Sequence, residues 1–416
     1  MYKGFEFKKT NYSKKCSARV GIIKTPNGII NTPAFIFCAT KCFLRGITAE
    51  QLKKCNTQVI LSNTYHLDIF PGADKIKQMG GLQKTTCWNG PMLTDSGGYQ
   101  IFAMGCGSVS KEIKGKRNTW KPTLLKIDED GATFTSYYNK QKKKLTPELS
   151  MQIQNKLGAD LILVFDECTP YNVSKEYTQE SMERSHRWAL RSLKEFKNLK
   201  IDNQALYGII QGGIYSDLRD KSINFNNQQD FFGLAIGGSL GSDKQTMYST
   251  VEYIMKYVDK EKPIHLLGIG GIADIFHGIR TGIDTFDCVH PTRLGRHGCA
   301  LVKSKYWLIE NPSDKPKESI DLKKSKFKND LKPIDENCKC ETCSNGYSRM
   351  YLNYLLKLNE SLAGTLITIH NIFYMNTLME DIRNSIITDS IDEIESEWLV
   401  DELKYNNRIS MNIACD

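Results

Sequence analysis

The sequence predicts an α/β protein, a (β/α)8 barrel with insertions and a small metal-binding subdomain towards its C-terminus. Three observations carry this. Eight short apolar runs recur along the chain, each ending in a polar or glycine-rich tip. Helix-patterned segments lie between them. Three cysteines then cluster at Cys338, Cys340 and Cys343. Near-continuous apolar runs suit strands buried on both faces, and strands alternating with helices form parallel sheets. An open, doubly wound sheet is the competing architecture. Polar tips on all eight runs favour the closed TIM barrel.

The eight runs are Pro33–Cys38, Gln58–Asn63, Pro91–Asp95, Asp160–Asp166, Ala205–Gln211, Phe231–Gly237, Ile264–Gly270 and Thr285–Val289. Thr146-Pro147 ahead of Glu148–Leu157 is an N-cap with proline at the first helical position. Lys175–Phe196 and Ser242–Val258 carry apolar residues at helical spacing. Residues 103–145, rich in glycine, lysine and threonine, break the alternation and predict a β-hairpin excursion after the third strand. The barrel with this insertion takes up residues 1–302. A lysine-rich stretch from 303 to 345 ends in the cysteine cluster, and helix resumes from Gly346 to about Ile386, making 303–386 the subdomain that closes onto the barrel. Residues 387–416 form an acidic, then polar, tail with no assigned role.

A chain of 416 residues, 40% hydrophobic and 25% charged, is ordinary for a globular protein with one large domain and an appendage. The net charge of +9, from 56 Lys+Arg against 47 Asp+Glu, permits a polyanionic partner without demanding one. No run approaches 18 uninterrupted apolar residues, so no membrane span is expected. Met1–Lys15 is charged and lacks the apolar core of a secretory signal. Thirteen cysteines, an odd count with ten scattered, argue for a reducing, cytoplasmic setting rather than a disulfide framework.

In a barrel, the C-terminal strand tips share one pocket. Here they carry Asp95, Asp166, Gln211, Gly237-Gly238, Gly270-Gly271 and Asp287. An aspartate after a strand is commonly a turn residue or helix cap. Capping does not explain Phe165-Asp166-Glu167-Cys168 or Phe286-Asp287-Cys288, where the carboxylate follows directly on the apolar run. Two carboxylates flanking a glycosidic carbon can divide double displacement between them, one as nucleophile and one as proton shuttle. A third carboxylate with an amide can read a purine edge. Backbone N–H groups at Gly237-Gly238 can meet a carbonyl oxygen, and Tyr99 offers a face for stacking a base.

Cys338-x-Cys340-x2-Cys343 with His370 supplies three thiolates and an imidazole, a Cys3His set for one tetrahedral, structural Zn2+. Four protein ligands leave no open position for catalysis. The ion would staple the lysine-rich loop to the C-terminal helices.

At this point the motifs resemble those of a known family. Thr94-Asp95-Ser96-Gly97-Gly98-Tyr99-Gln100, Phe165-Asp166-Glu167-Cys168, Ile210-Gln211-Gly212-Gly213, Ile236-Gly237-Gly238 and Phe286-Asp287-Cys288-Val289-His290-Pro291-Thr292-Arg293 are similar to motifs of the queuine/pre-queuosine tRNA-ribosyltransferases, or tRNA-guanine transglycosylases. Asn63-Thr64-Tyr65-His66-Leu67, Pro71-Gly72 and the metal pattern fit too, and the likeness runs from about Gly21 to Ile386. The resemblance implies exchange of guanine at the wobble position of tRNAs with a GUN anticodon for a 7-deazaguanine base, in queuosine biosynthesis. It implies Asp287 as nucleophile forming a covalent enzyme–tRNA ester, and Asp95 as general acid/base. Asp166, Gln211 and the Gly238 backbone would read the base, between Tyr99 and Leu267. Arg293 and Arg296 would contact the anticodon loop, and a homodimer would form near the zinc region. The family usually has Leu after Gly237-Gly238, where this chain has Ser239-Leu240-Gly241. Many bacterial members have Met at Leu267. Gly241 makes room for the larger base queuine, whereas Cys168 is the bacterial form, so queuine and its aminomethyl precursor both stay open as the accepted base. Two rivals remain: a non-catalytic tRNA-binding subunit of the same fold, and a barrel acting on glycosides or sugar phosphates.

Overall fold

The computed structural model describes residues 2–105 and 123–400. The chain opens with an antiparallel sheet of β1 (Glu6–Tyr12), β2 (Arg19–Thr25) and β3 (Gly28–Thr32). The apolar pattern does not announce this sheet, because β1 is largely solvated and its residues alternate between half-buried and exposed.

Eight parallel strands then close into a barrel. They are β4 (Ala34–Cys38), β5 (Ile60–Ser62), β6 (Met92–Thr94), β10 (Leu161–Leu163), β11 (Ala205–Ile210), β12 (Gly233–Ile236), β13 (Ile264–Leu266) and β14 (Thr285–Cys288), paired in that order with β14 returning to β4. Each expected run supplies one strand, trimmed at its ends. Their side chains are buried almost throughout, with Phe35, Phe37, Phe165 and Phe286 at most 2% exposed. The expected helices form between them. Pro147–Leu157 starts where the Thr146 side chain accepts from the Leu149 N–H. Lys175–Asn198 and Lys244–Tyr257 follow.

Between β6 and β10 the described part of the insertion is a three-stranded antiparallel sheet, β7 (Leu124–Asp128), β8 (Gly131–Thr135) and β9 (Lys142–Leu145). It has one strand more than the expected hairpin. The basic run Lys114–Arg117 lies outside the described residues, as does most of the Lys111–Thr123 stretch.

Carboxylates at the two barrel ends have different fates. At the N-terminal end, Asp284 forms a buried ion pair with Arg19 at 2.6 Å and accepts the Ile264 N–H. Asp160 accepts from Asn27, Gln83 and the Met92 N–H. These groups seat the first sheet and tie strand starts together. They are structural, and the candidate residues lie at the opposite end.

Downstream, β15 (Cys299–Leu301) and β16 (Ser319–Asp321) pair, and Ala300, Trp307, Phe327, Leu352, Leu355 and Ile367 build a second core. The 27-residue helix Ser361–Ile387 runs from this core onto the barrel, where Ile372, Leu378 and Ile382 are fully buried. The acidic tail starts with structure. Helix Ile391–Trp398 buries Ile391 and Trp398 against the barrel core, and the Trp398 indole donates to Asp381. Residues 401–416 lie outside the described ones. No helix among the described residues is long and apolar enough to cross a membrane.

Candidate active site

The candidate residues form a circuit of contacts around the C-terminal barrel mouth. Asp95 follows β6. Its Oδ1 accepts the Thr64 N–H at 2.9 Å, and its Oδ2 accepts from the Asn63 side chain and from Gln100 Nε2 at 3.1 Å. The adjacent Ser96 hydroxyl donates to Asp166 Oδ1 at 3.2 Å. Asp166 Oδ2 takes the Gln211 side-chain N–H at 2.6 Å, and the Gln211 backbone is held by the Ser222 hydroxyl. Gly238 comes next. A Cβ there would sit 2.3 Å from Gln211 Oε1, and its φ of +75° belongs to the left-handed region, so only glycine lets this backbone lie against the amide. Gly98 is similarly constrained, since a Cβ would meet the Asp166 carbonyl at 2.5 Å.

On the far side, half-buried Leu267 borders Gly237 and leads into Gly268, whose N–H donates to Asp287 Oδ1 at 3.0 Å. Asp287 sits within β14 rather than after it. His265 Nε2 meets the same Oδ1 at 3.1 Å, while the Cys38 thiol lies 3.5 Å from Oδ2. Tyr99, in the first turn of helix Gly98–Gly105, is half-buried at the mouth. Arg293 and Arg296 lie on the short helix His290–Arg296 that follows β14, half-exposed, with Arg296 reaching the Thr292 hydroxyl.

The electrostatics separate the carboxylates. Burial drives Asp95 up to about 7, against the pull of its hydrogen bonds, and the negative charge of Asp287 adds to the rise. The two carboxyl groups therefore share one field although they come from strands separated by β4 and β5. Asp95 opens partly to the pocket while protein surrounds the rest of it. Burial likewise lifts Asp166 to about 6, held back by Gln211 and Ser96. Burial, then the Asp287 charge, pushes the Cys38 thiol well up, so it stays protonated. A cleft of about 800 Å3, lined by Phe43, Leu44, Ile47, Leu67 and Trp88 among others, is mostly apolar and contains none of these carboxylates.

Sequence reasoning passed over several supporting residues. His265 is fully buried, and only its strand register, opposite Thr285 with Asp287 two residues on, signals its role. Arg219 is a fully enclosed guanidinium on helix Ser216–Asn227. It donates to the carbonyls of Ile210, Gly213, Gly237 and Ser239, and burial lowers its pKa to about 9. It stitches the loop after Gln211 to the loop carrying Gly238. No apolar periodicity marks such a residue.

Apart from this mouth, the Sγ atoms of Cys338, Cys340 and Cys343 lie 3.5, 3.6 and 3.4 Å from His370 Nδ1, and all four ligand atoms fall within 4.8 Å of one another. His370 Nε2 donates to the Leu301 carbonyl at 2.8 Å, which turns Nδ1 towards the sulfurs. A metal ion would bind these three thiols as thiolates. The donor set fits a metal ion.

Residues 14–403 match the family described as queuine tRNA-ribosyltransferase. The chain belongs to this family. Among relatives named queuine tRNA-ribosyltransferase, the protein of Roseiflexus sp. (strain RS-1) is 39% identical over 395 residues, covering 92% of this chain and 96% of its own. That of Staphylococcus aureus (strain JH9) is 41% identical over 386 residues, covering 92% and 93%. Membership makes the chain a pentosyltransferase, and the queuine tRNA-ribosyltransferase likeness extends over barrel and metal subdomain alike.

Proposed function

We propose that this enzyme exchanges guanine at the wobble position of tRNAs with a GUN anticodon for a 7-deazaguanine base, by double displacement. In the first half-reaction Asp287 attacks the anomeric carbon as the C–N bond breaks. The bonding electron pair leaves with guanine, which takes the proton of Asp95. The ribose is then held as an aspartyl ester. In the second half the incoming base gives its proton to Asp95, its nitrogen attacks the same carbon, and the ester electron pair returns to Asp287. One N-glycosidic bond replaces another, so no nucleotide cofactor is consumed.

What supports this reading is the field that Asp95 and Asp287 share, with Asp95 poised near neutrality to give and take a proton. Asp166 and Gln211 are coupled by a hydrogen bond, suiting them to the polar edge of a purine. Tyr99 and Leu267 would flank its faces, and the Gly238 backbone would meet its carbonyl. Arg293 and Arg296 would hold anticodon-loop phosphates, with the nucleotide unstacked. The Cys3His donor set suits one structural zinc ion per chain. A homodimer near that subdomain completes the reading, and exposed Tyr354 on helix Arg349–Lys357 with Leu358 just after it suit it. A non-catalytic subunit would not need the carboxylate pair, and a sugar-phosphate enzyme would not need the purine-reading set.

The test is incorporation of labelled guanine into an unmodified GUN-anticodon tRNA, with queuine and its aminomethyl precursor run side by side as competing bases. Asp287→Asn is expected to abolish incorporation and the denaturant-stable enzyme–tRNA adduct. Persistence of either removes Asp287 as nucleophile.

A further inference from the structure

The two oxygens of Asp287 are in unlike surroundings. Oδ1 meets two nitrogen donors, the Gly268 N–H at 3.0 Å and His265 Nε2 at 3.1 Å. Among the described residues, Oδ2 meets the Cys38 thiol alone, at 3.5 Å, and a thiol is a weak donor. His265 is fully buried on β13, and its ring spans two residues of the neighbouring strand. Nδ1 lies 2.9 Å from the Thr285 hydroxyl, and Nε2 faces Asp287. Residues 285 and 287 share one face of β14 because strand side chains alternate. Thr285 thus holds one end of the imidazole while the other addresses the carboxylate. A carboxylate only accepts, so Nε2 must carry the proton.

We infer that His265 is a positioning residue that fixes Oδ1 and thereby assigns Oδ2 as the attacking oxygen. The inference rests on Asp287 being the nucleophile. When Oδ2 bonds to the anomeric carbon, Oδ1 becomes the ester carbonyl. When the ester breaks, the electron pair returns to the carboxylate and negative charge grows on Oδ1, where two fixed N–H donors already point. Preorganised donors at a developing oxyanion act without reorganising during the reaction. Breakdown of the ester should therefore depend on His265 more steeply than tRNA binding does.

The experiment forms the adduct with an unmodified GUN-anticodon tRNA transcript, chases it with excess guanine, and follows its loss on denaturing gels. His265→Leu keeps an apolar side chain of suitable length without the donor. It should slow adduct resolution roughly 100-fold, the effect of losing one such donor, while tRNA affinity stays within about twofold. His265→Gln places an amide N–H near the position of Nε2 and should recover the rate to within about fivefold. A merely space-filling His265 predicts no difference between the two variants, because leucine packs as well as glutamine. Resolution at the wild-type rate in folded His265→Leu, or equal slowing in Leu and Gln variants, would overturn the assignment. If the Leu variant does not fold, 15N-histidine NMR of the wild-type protein decides, with the His265 signal assigned from its loss in His265→Gln. A protonated Nε2 supports the inference and an unprotonated Nε2 ends it. Asp287→Asn separates the two readings. An adduct in that variant defeats the nucleophile itself, whereas no adduct there with wild-type resolution in His265→Leu defeats only the role of His265.

Discussion

Asp95→Asn tests the electrostatics of the site apart from its chemistry. The Asp95 carboxyl rises from its ordinary 3.8 to about 7, chiefly through burial. The folded chain therefore holds this proton more tightly than the unfolded chain does. Between those two values folding takes up a proton, so this group's contribution to stability is fully present below about pH 4 and lost as pH rises through about 7. The full span corresponds to about 4 kcal/mol, at about 1.4 kcal/mol per tenfold change in proton affinity. Asparagine is a neutral stand-in for the protonated acid and does not titrate. Its new N–H2 would face the donors on Asn63 and Gln100, but Gln100 Oε1 is buried with no partner among the described residues, so turning that amide over supplies an acceptor. Urea denaturation of both proteins from pH 5 to pH 8 is the assay. The difference between them should move by about 2–3 kcal/mol in favour of Asp95→Asn as pH rises. Guanine incorporation by the variant should meanwhile fall roughly 1,000-fold, within the range for loss of a general acid/base. A stability difference that stays flat within about 0.5 kcal/mol across this range would mean that Asp95 is ionised throughout in the folded protein, and the proton-shuttle argument would fail.

Two further perturbations address the base pocket and the metal subdomain. Gly238→Ala forces a Cβ to 2.3 Å from Gln211 Oε1 at a positive φ; the KM for the free base should rise roughly tenfold or more, about 1.4 kcal/mol, with tRNA affinity unchanged, and an unaltered KM would remove Gly238 from base recognition. Cys343→Ser should reduce bound zinc from about one per chain to near none and lower the thermal midpoint of the C-terminal region by roughly 5 °C or more. Elemental analysis and melting curves check this, and a wild-type protein purified fully folded without metal would end the Cys3His proposal.

The barrel was legible because each of its strands is buried on both faces, which makes Asp160–Asp166 or Ala205–Gln211 a continuous apolar word. The first sheet was not, because β1 is mostly polar, with no buried residue, and presents no such word. The extra strand in the insertion escaped for the same reason, since Lys142–Leu145 reads as a charge run. The tail is acidic, then polar, in composition although its helix buries Ile391 and Trp398; two anchors in eight residues leave composition unchanged. In the site, the residues carrying a functional group on a strand tip could be named from sequence. Those that hold them could not. His265 is one polar letter in an apolar run, and Arg219 falls on an amphipathic helix where arginine ordinarily faces water.

That difference follows from what each kind of residue must do. A carboxylate that meets substrate has to sit at or near the end of an element, where a polar residue interrupts or closes an apolar run. A residue that fixes the carboxylate has to be enclosed, because a hydrogen bond open to water would not hold one oxygen in place. Enclosure requires each polar atom to find a partner inside. His265 satisfies this with Thr285 and Asp287, and Arg219 with four backbone carbonyls. Burying an unpaired guanidinium would normally be costly, yet here its charge is spread over four backbone carbonyls. Removing Arg219 would orphan the turn after Gln211 and the turn bearing Gly238 together. Arg219 thus joins the two loops proposed to read the base, and Asp287 is held by separate contacts from β13 and the Gly268 N–H. On the proposed mechanism, two separate supports would let one base replace another while the ribose stays on Asp287.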